Sequence, residues 1–313
     1  MTFRKRLKRL LLLTLGFAVL GLVAMLVQYQ TNVTARPAHG ALEQVSYLSR
    51  HGEVTLNFHV GPAAVDAGEQ AALILLPSLG RPASDFNELA AALNQAGYPT
   101  YALEPRGMMN DSGLVTDDIS LFDLADDVAA LIMHLVRTGR LAGQDVVLVG
   151  HAFGNRVARA TATKHPEAVN QIILLAAGGQ APLTPAAEKA LMQSFLIFLP
   201  DSWRRPRIEY AFFAEQNTAP EHWMTGWYIP TALTQAAATA NAPYAQWHKA
   251  GDKPLLVIQG RQDALAPPET AGEALLRELP EQVTLVTLDA AGHALLPEQP
   301  DLIAAAMLSF LSR

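Results

Sequence analysis

The stretch Asp145–Glu167 reads DVVLVGHAFGNRVARATATKHPE, an apolar run that passes through GHAFG into a helical pattern without a break. Strand, G-x-x-x-G turn and helix make a sharp elbow. Gly150 and Gly154 let strand and helix approach closely, and the residue between them is held at the tip in a strained backbone conformation. The tip here is Ala152. Two more residues of chemical interest follow in the chain: Asp263 in GRQDALAPPE, after the apolar run Leu255 to Gln259, and His293 in DAAGHALLPEQPD, after Val283 to Leu288. A carboxylate and an imidazole placed just past the ends of strands are the groups of acid–base chemistry.

The elements that must position them form a repeating pattern from Gln44 onward. Expected strands are Val45 to Ser49, Val54 to Val60, Ala72 to Leu76, Thr100 to Leu103, Val146 to Val149, Gln171 to Leu175, Leu255 to Gln259 and Val283 to Leu288. Most of the later ones are continuously apolar, as parallel strands covered on both faces are. Helical patterns lie between them at Asp85 to Ala96, Leu121 to Thr138, Ala152 to Lys164, Pro268 to Glu278 and Leu302 to Leu311. The alternation predicts an α/β fold, with a mostly parallel sheet flanked by helices. Residues 182–253 interrupt it with no strand-like run, and they hold all four Trp residues. A segment that long is expected to be a helical cap rather than a structureless loop. The core is then 44–181 together with 254–313.

With its elbow, its acid in Gly260-Arg261-Gln262-Asp263 and its histidine in Ala291-Gly292-His293, the chain resembles the capped α/β-hydrolase fold family, in the order nucleophile, acid, base. The resemblance implies a triad with Ala152 at the nucleophile position, Asp263 as acid and His293 as base, the acid orienting the imidazole that takes the nucleophile's proton. It also implies an oxyanion hole built from the backbone N–H groups of Leu79 and Phe153. The chain departs from the family twice. A methyl group has no lone pair, so Ala152 cannot attack a carbonyl. Pro77-Ser78 stands where similar proteins carry a His-Gly pair, although backbone donors do not depend on side-chain identity. Ser78 reads as a turn residue in preference to a displaced nucleophile.

Ser78, Arg106, Trp223, Trp227 and Tyr228 are candidate pocket residues, the aromatics beneath the cap and Arg106 as a substrate-carboxylate clamp. The bland readings are the core of a small helical layer for the tryptophans and a structural ion pair for Arg106. Asp111-Ser112-Gly113 continues the Arg106 loop toward the expected pocket mouth, and His151 is expected to be packed into the structure. No pair of histidines has metal-ligand spacing and no cofactor motif is present, so no metal or cofactor is expected.

Five of the cations, Arg4, Lys5, Arg6, Lys8 and Arg9, crowd residues 1–9, ahead of an uncharged 18-residue run from Leu10 to Val27. At about 1.5 Å per residue that run spans roughly 27 Å, close to the hydrocarbon thickness of a bilayer. A transmembrane anchor is expected at 10–27, with a cleaved signal as the alternative, and residues 28–43 as a linker. Positive charge before the span keeps residues 1–9 cytoplasmic and puts the body outside the cytoplasm, on the periplasmic or extracellular side. The chain of 313 residues carries a net charge of −6, and residues 36–313 carry −11, which gives no footprint for nucleic acid. With no Cys there is no disulfide framework and no thiolate zinc site.

Three functions compete on these residues. The first is a membrane-anchored relative of serine esterases and amidases for a small apolar substrate, with Ala152 as an inactivating substitution. The second is a catalytically silent ligand-binding or scaffolding protein. The third is general-base chemistry by His293 and Asp263 without a covalent intermediate.

Overall fold

A computed structural model describes residues 3–63, 70–108, 118–141, 143–178 and 181–312, without the side chains of residues 3–13 and 15–17. The Asp111-Ser112-Gly113 loop lies outside the described residues. A long helix α1 (Phe3–Val33) leads into β1 (Ala41–Ser49) and β2 (Gly52–Gly61). β3 (Ala72–Leu76), α2 (Asn87–Gln95), β4 (Thr100–Leu103), α3 (Leu121–Arg137), β5 (Val146–His151), α4 (Phe153–Lys164) and β6 (Gln171–Leu175) follow. Three helices come next, α5 (Pro185–Ser194), α6 (Asp201–Phe212) and α7 (Ile229–Ala240), before β7 (Leu255–Gly260), α8 (Gly272–Glu278), β8 (Val283–Leu288), the one-turn α9 (Leu295–Glu298) and α10 (Pro300–Leu311).

The strands form one sheet in the order β1-β2-β4-β3-β5-β6-β7-β8. β1 and β2 pair antiparallel, as do β2 and β4, and the other five pairings are parallel. Side chains of a strand alternate between faces. In β3, Ala72, Ile74 and Leu76 therefore join one apolar core while Leu73 and Leu75 join the other, on the opposite side of the sheet. Burial on both sides is the physical reason β3, β5, β6 and β7 are almost wholly apolar. The helices α5, α6 and α7 lie between β6 and β7 and bury a third cluster, which includes Ile208, Phe212, Trp223 and Trp227.

The N-terminal region differs from its expected division. Residues 28–33 of the expected linker are the last turns of α1, and the first strand begins at Ala41. The reason is tertiary packing: Tyr29 and Val33 press on the third apolar cluster, and the Asn32 side chain, fully buried, donates to the Ile197 carbonyl at 2.8 Å. β1 is extended by its antiparallel register with β2, from Ala41 opposite Val60. Among the described residues no helix is long and apolar enough to cross a membrane. The side chains of residues 1–9, and those of 10–13 and 15–17 in the expected span, lie outside the description.

Candidate active site

β5 delivers the chain to the elbow and α4 carries it away. Ala152 sits between them at φ 49° and ψ −105°, a conformation that costs a non-glycine residue about 1–3 kcal/mol and persists only where the surroundings enforce it. They do so on both sides. The Ala152 N–H donates to the Leu175 carbonyl at 2.9 Å. A Cβ on Gly150 would lie 2.5 Å from the backbone of Gly154, and one on Gly154 would lie 2.0 Å from the Leu76 carbonyl oxygen. The sharp turn of a nucleophile elbow is thus intact although its tip carries only a methyl group.

Past the end of β7, Asp263 turns back toward the elbow. Its carboxylate accepts from the Leu265 N–H at 2.9 Å, the Ala266 N–H at 2.7 Å and the Gln259 amide at 2.9 Å. Those donors fix the carboxylate, leaving it to receive His293 Nδ1 at 3.0 Å and 2.9 Å on its two oxygens. The imidazole therefore carries its proton on Nδ1, and Nε2 is the atom able to take a proton from a group in front of it. The loop that holds His293 is clamped from two directions. Glu298 accepts from the Gly292 N–H at 2.7 Å, and the Ala294 N–H donates to the Phe212 carbonyl at the end of α6 at 2.6 Å. Burial pushes the Glu298 carboxyl upward in pKa, against the hydrogen bonds that lower it. Behind the elbow, buried His151 donates from Nε2 to the His293 carbonyl at 2.8 Å. Burial and the neighbouring His293 lower its pKa to about 4, so it is neutral.

Ala152, Phe153, Leu79, Ser78 and His293 all line one cavity of about 550 Å³ under α5, α6 and α7. Phe153 opens α4, where an N–H has no acceptor within the helix. The turn that holds Leu79 is fixed from the cap, because the Gly80 N–H donates to Gln235 Oε1 of α7 at 2.7 Å. Leu191, Phe195, Phe212, Leu265 and Pro267 make most of the wall apolar, as small-molecule sites are. Among the described residues no cluster of His, Asp and Glu could hold a metal ion.

Residues 67–300 match the family model described as serine aminopeptidase, S33. The chain belongs to this family of hydrolases. Solved structures of the same fold include an esterase from Thermogutta terrifontis, 22% identical over 87% of this chain and 98% of that one, TM-score 0.65. A hydrolase from Pseudomonas aeruginosa is 20% identical over 87% of this chain and 99% of that one, TM-score 0.64. A bacterial membrane phospholipase A is 17% identical over 99% of this chain and 98% of that one, TM-score 0.64.

Within this S33-type scaffold, four of the candidate pocket residues stand elsewhere. Trp223 and Trp227 are fully buried in the cap core, not at the cavity. Their faces are occupied by the Arg81 guanidinium, 4.6 Å and 4.7 Å from the two ring centroids. Tyr228 lines a separate cavity with His59, Glu104 and the segment 33–38, because its backbone is tied to Gly80 by a 2.9 Å hydrogen bond. Arg106 is a buried structural ion-pair partner, its fork on Asp127 at 2.9 Å and 2.6 Å, and it does not line the main cavity. Ser78 does line the main cavity, in a turn closed by the Arg81 N–H on the Ser78 carbonyl at 3.2 Å. Gln259, Glu298 and Arg156 were not singled out in the sequence. Gln259 had a readable signal, a polar residue ending an otherwise apolar strand four positions before the acid, whereas Glu298 joins the Gly292 loop to Ala214 and Asn217 through tertiary contacts that spacing does not show.

Proposed function

We propose that this chain is a membrane-anchored, capped hydrolase-fold protein related to serine esterases and amidases, whose site accepts a small apolar acyl compound but lacks the attacking oxygen. The observation that carries this reading is the Asp263–His293 pair, held by three further donors and facing the same cavity as a strained, intact elbow. A hydroxyl at position 152 would lose its proton to His293 Nε2 and attack the acyl carbon. The oxyanion would be received by the N–H groups of Leu79 and Phe153. With alanine there, binding and the oxyanion donors remain while covalent catalysis does not.

The anchor is supported by the uncharged run Leu10 to Val27, by the exposed apolar side chains of Leu20, Leu22, Val23, Leu26 and Val27, and by the likeness to a membrane phospholipase A that extends over nearly the whole chain. It places the acidic body outside the cytoplasm. A second reading, a ligand carrier without turnover, draws on the same cavity and the missing oxygen.

Hydrolysis of short p-nitrophenyl esters by the chain as it stands, by Ala152→Ser and by Ala152→Ser/His293→Ala tests the first reading. Turnover confined to Ala152→Ser is expected. Equal rates for all three would remove it and leave the carrier.

A further inference from the structure

The cavity over Ala152 is walled mainly by apolar side chains, yet one permanent charge, Arg156, faces it. α4 puts it there. Arg156 follows Ala152 by four residues, one helical turn and about 6 Å along the axis from the elbow tip. Its polar neighbours on the helix spend their donors on the protein itself. Asn155 Nδ2 donates to the carbonyls of Leu175 at 2.9 Å and Ala176 at 3.1 Å. Arg159 donates to the carbonyls of Asn155 and Gly178, both at 3.3 Å, and covers the Trp247 ring at 4.8 Å.

Arg156 has no such engagement. Among the described residues no carboxylate pairs with it and no carbonyl accepts from it, and its electrostatic neighbours are the Tyr244 phenol and the like charge of Arg159. Glu278, which acts on Arg159, is bonded to His248 Nε2 at 2.8 Å. Arg156 is partly buried, and burial lowers the pKa of its guanidinium while no anion among the described residues offsets it. Such a group is costly to a fold that gains nothing from it, and a guanidinium fork matches the two oxygens of a carboxylate or phosphate.

We propose that Arg156 is the anion anchor of this cavity, selecting an amphiphilic ligand whose carboxylate or phosphate oxyanion meets the guanidinium while its apolar chain fills the space under the cap. For an acyl substrate, the oxyanion group sits several bonds from the carbonyl that lies over Ala152. This inference rests on the reading of the cavity as a ligand site and adds the class of ligand.

Isothermal titration of the full chain with octanoate, octyl phosphate and octan-1-ol, three ligands with the same tail, tests it. At least one anion is expected to bind about tenfold or more tightly than the alcohol, the gain typical of a charge-assisted hydrogen-bonded pair. The stronger of the two anions assigns carboxylate or phosphate. Arg156→Gln should abolish the preference while still binding octan-1-ol, and Arg156→Lys should restore part of it. Because Arg156 bonds nothing among the described residues, Arg156→Gln should melt no lower than the parent. Octan-1-ol binding as tightly as both anions, a preference that survives Arg156→Gln, or a large drop in melting temperature would each overturn the anchor and leave the cavity reading standing. No binding by any of the three would overturn both.

Discussion

A methyl group at the elbow tip leaves His293 with an ordered carboxylate on Nδ1 and no proton to take with Nε2. The surrounding residues still bear the cost of a reactive geometry. Ala152 holds a left-handed φ that an alanine would not choose, and Asp263 and Gln259 are buried polar groups at a strand end. His151 belongs to the same arrangement, and it makes a pH prediction. Its folded pKa of about 4 lies below the ordinary histidine value of 6.5. The unfolded chain binds a proton there first as the pH falls. The stability that neutral His151 contributes is therefore fully present above about pH 6.5 and is lost progressively as pH falls toward 4, with a slope of at most about 1.4 kcal/mol per pH unit. Urea unfolding of the parent and of His151→Gln, which can keep a donor toward the His293 carbonyl, should show this as a smaller loss between pH 6.5 and pH 4.5 in the variant. Identical slopes would show that His151 is not the titrating group.

Among the elements, the elbow was legible because it is local: two glycines and an alanine within five residues dictate the turn between β5 and α4. The close approach has a measurable consequence. In Gly154→Ala the new Cβ meets the Leu76 and Pro77 carbonyl oxygens, 2.0 Å and 2.9 Å away before relaxation, and backbone must move to admit it. A loss of about 2 kcal/mol or more is expected on the scale of overpacked cores. Denaturant midpoints check it, and a midpoint equal to the parent's would mean that β3 and α4 are less tightly apposed than described. The strands were legible for a related reason. Their apolar runs report burial on both faces, whatever their neighbours in sequence. What periodicity could not reveal was the use of polar side chains across elements, such as Gln235 of α7 holding the Gly80 turn or the α6 carbonyl of Phe212 holding the histidine loop. The cap tryptophans are the clearest case. Aromatic content marked the layer, but Arg81, from the loop after β3, decides that their faces turn inward to a cation rather than toward a ligand.

At the scale of the whole molecule, α1 is joined to the cap rather than strung from it by a linker. Gln28 reaches Asp201 at 3.4 Å, the Asn32 side chain donates to Ile197, and the Trp227 N–H donates to the Asn32 carbonyl at 3.2 Å. Residues 28–33 are therefore part of the body, while the apolar side chains of Val19, Leu20, Leu22, Val23, Met25, Leu26 and Val27 before them are exposed. Removal of residues 1–27 is expected to release the protein from lipid vesicles in a flotation assay with little change in melting temperature, whereas removal of residues 1–36 should lower it by stripping Tyr29, Asn32 and Val33 from the cap. A full chain that stays in the aqueous fraction would overturn the anchor. Sequence conveyed the apolar run and its basic flank. Where the helix ends depends on packing against Ile197 and Trp227, which lie far along the chain.

On the proposed reading, one missing oxygen separates this site from a working acyl-transfer site. That reading is tested most directly by pre-steady-state mixing of Ala152→Ser with a p-nitrophenyl ester, followed by intact-protein mass measurement. A burst of nitrophenolate near one equivalent, a single acyl adduct on residue 152, and loss of both in Ala152→Ser/His293→Ala are expected. No burst and no adduct, or an adduct on Ser78 instead, would contradict it.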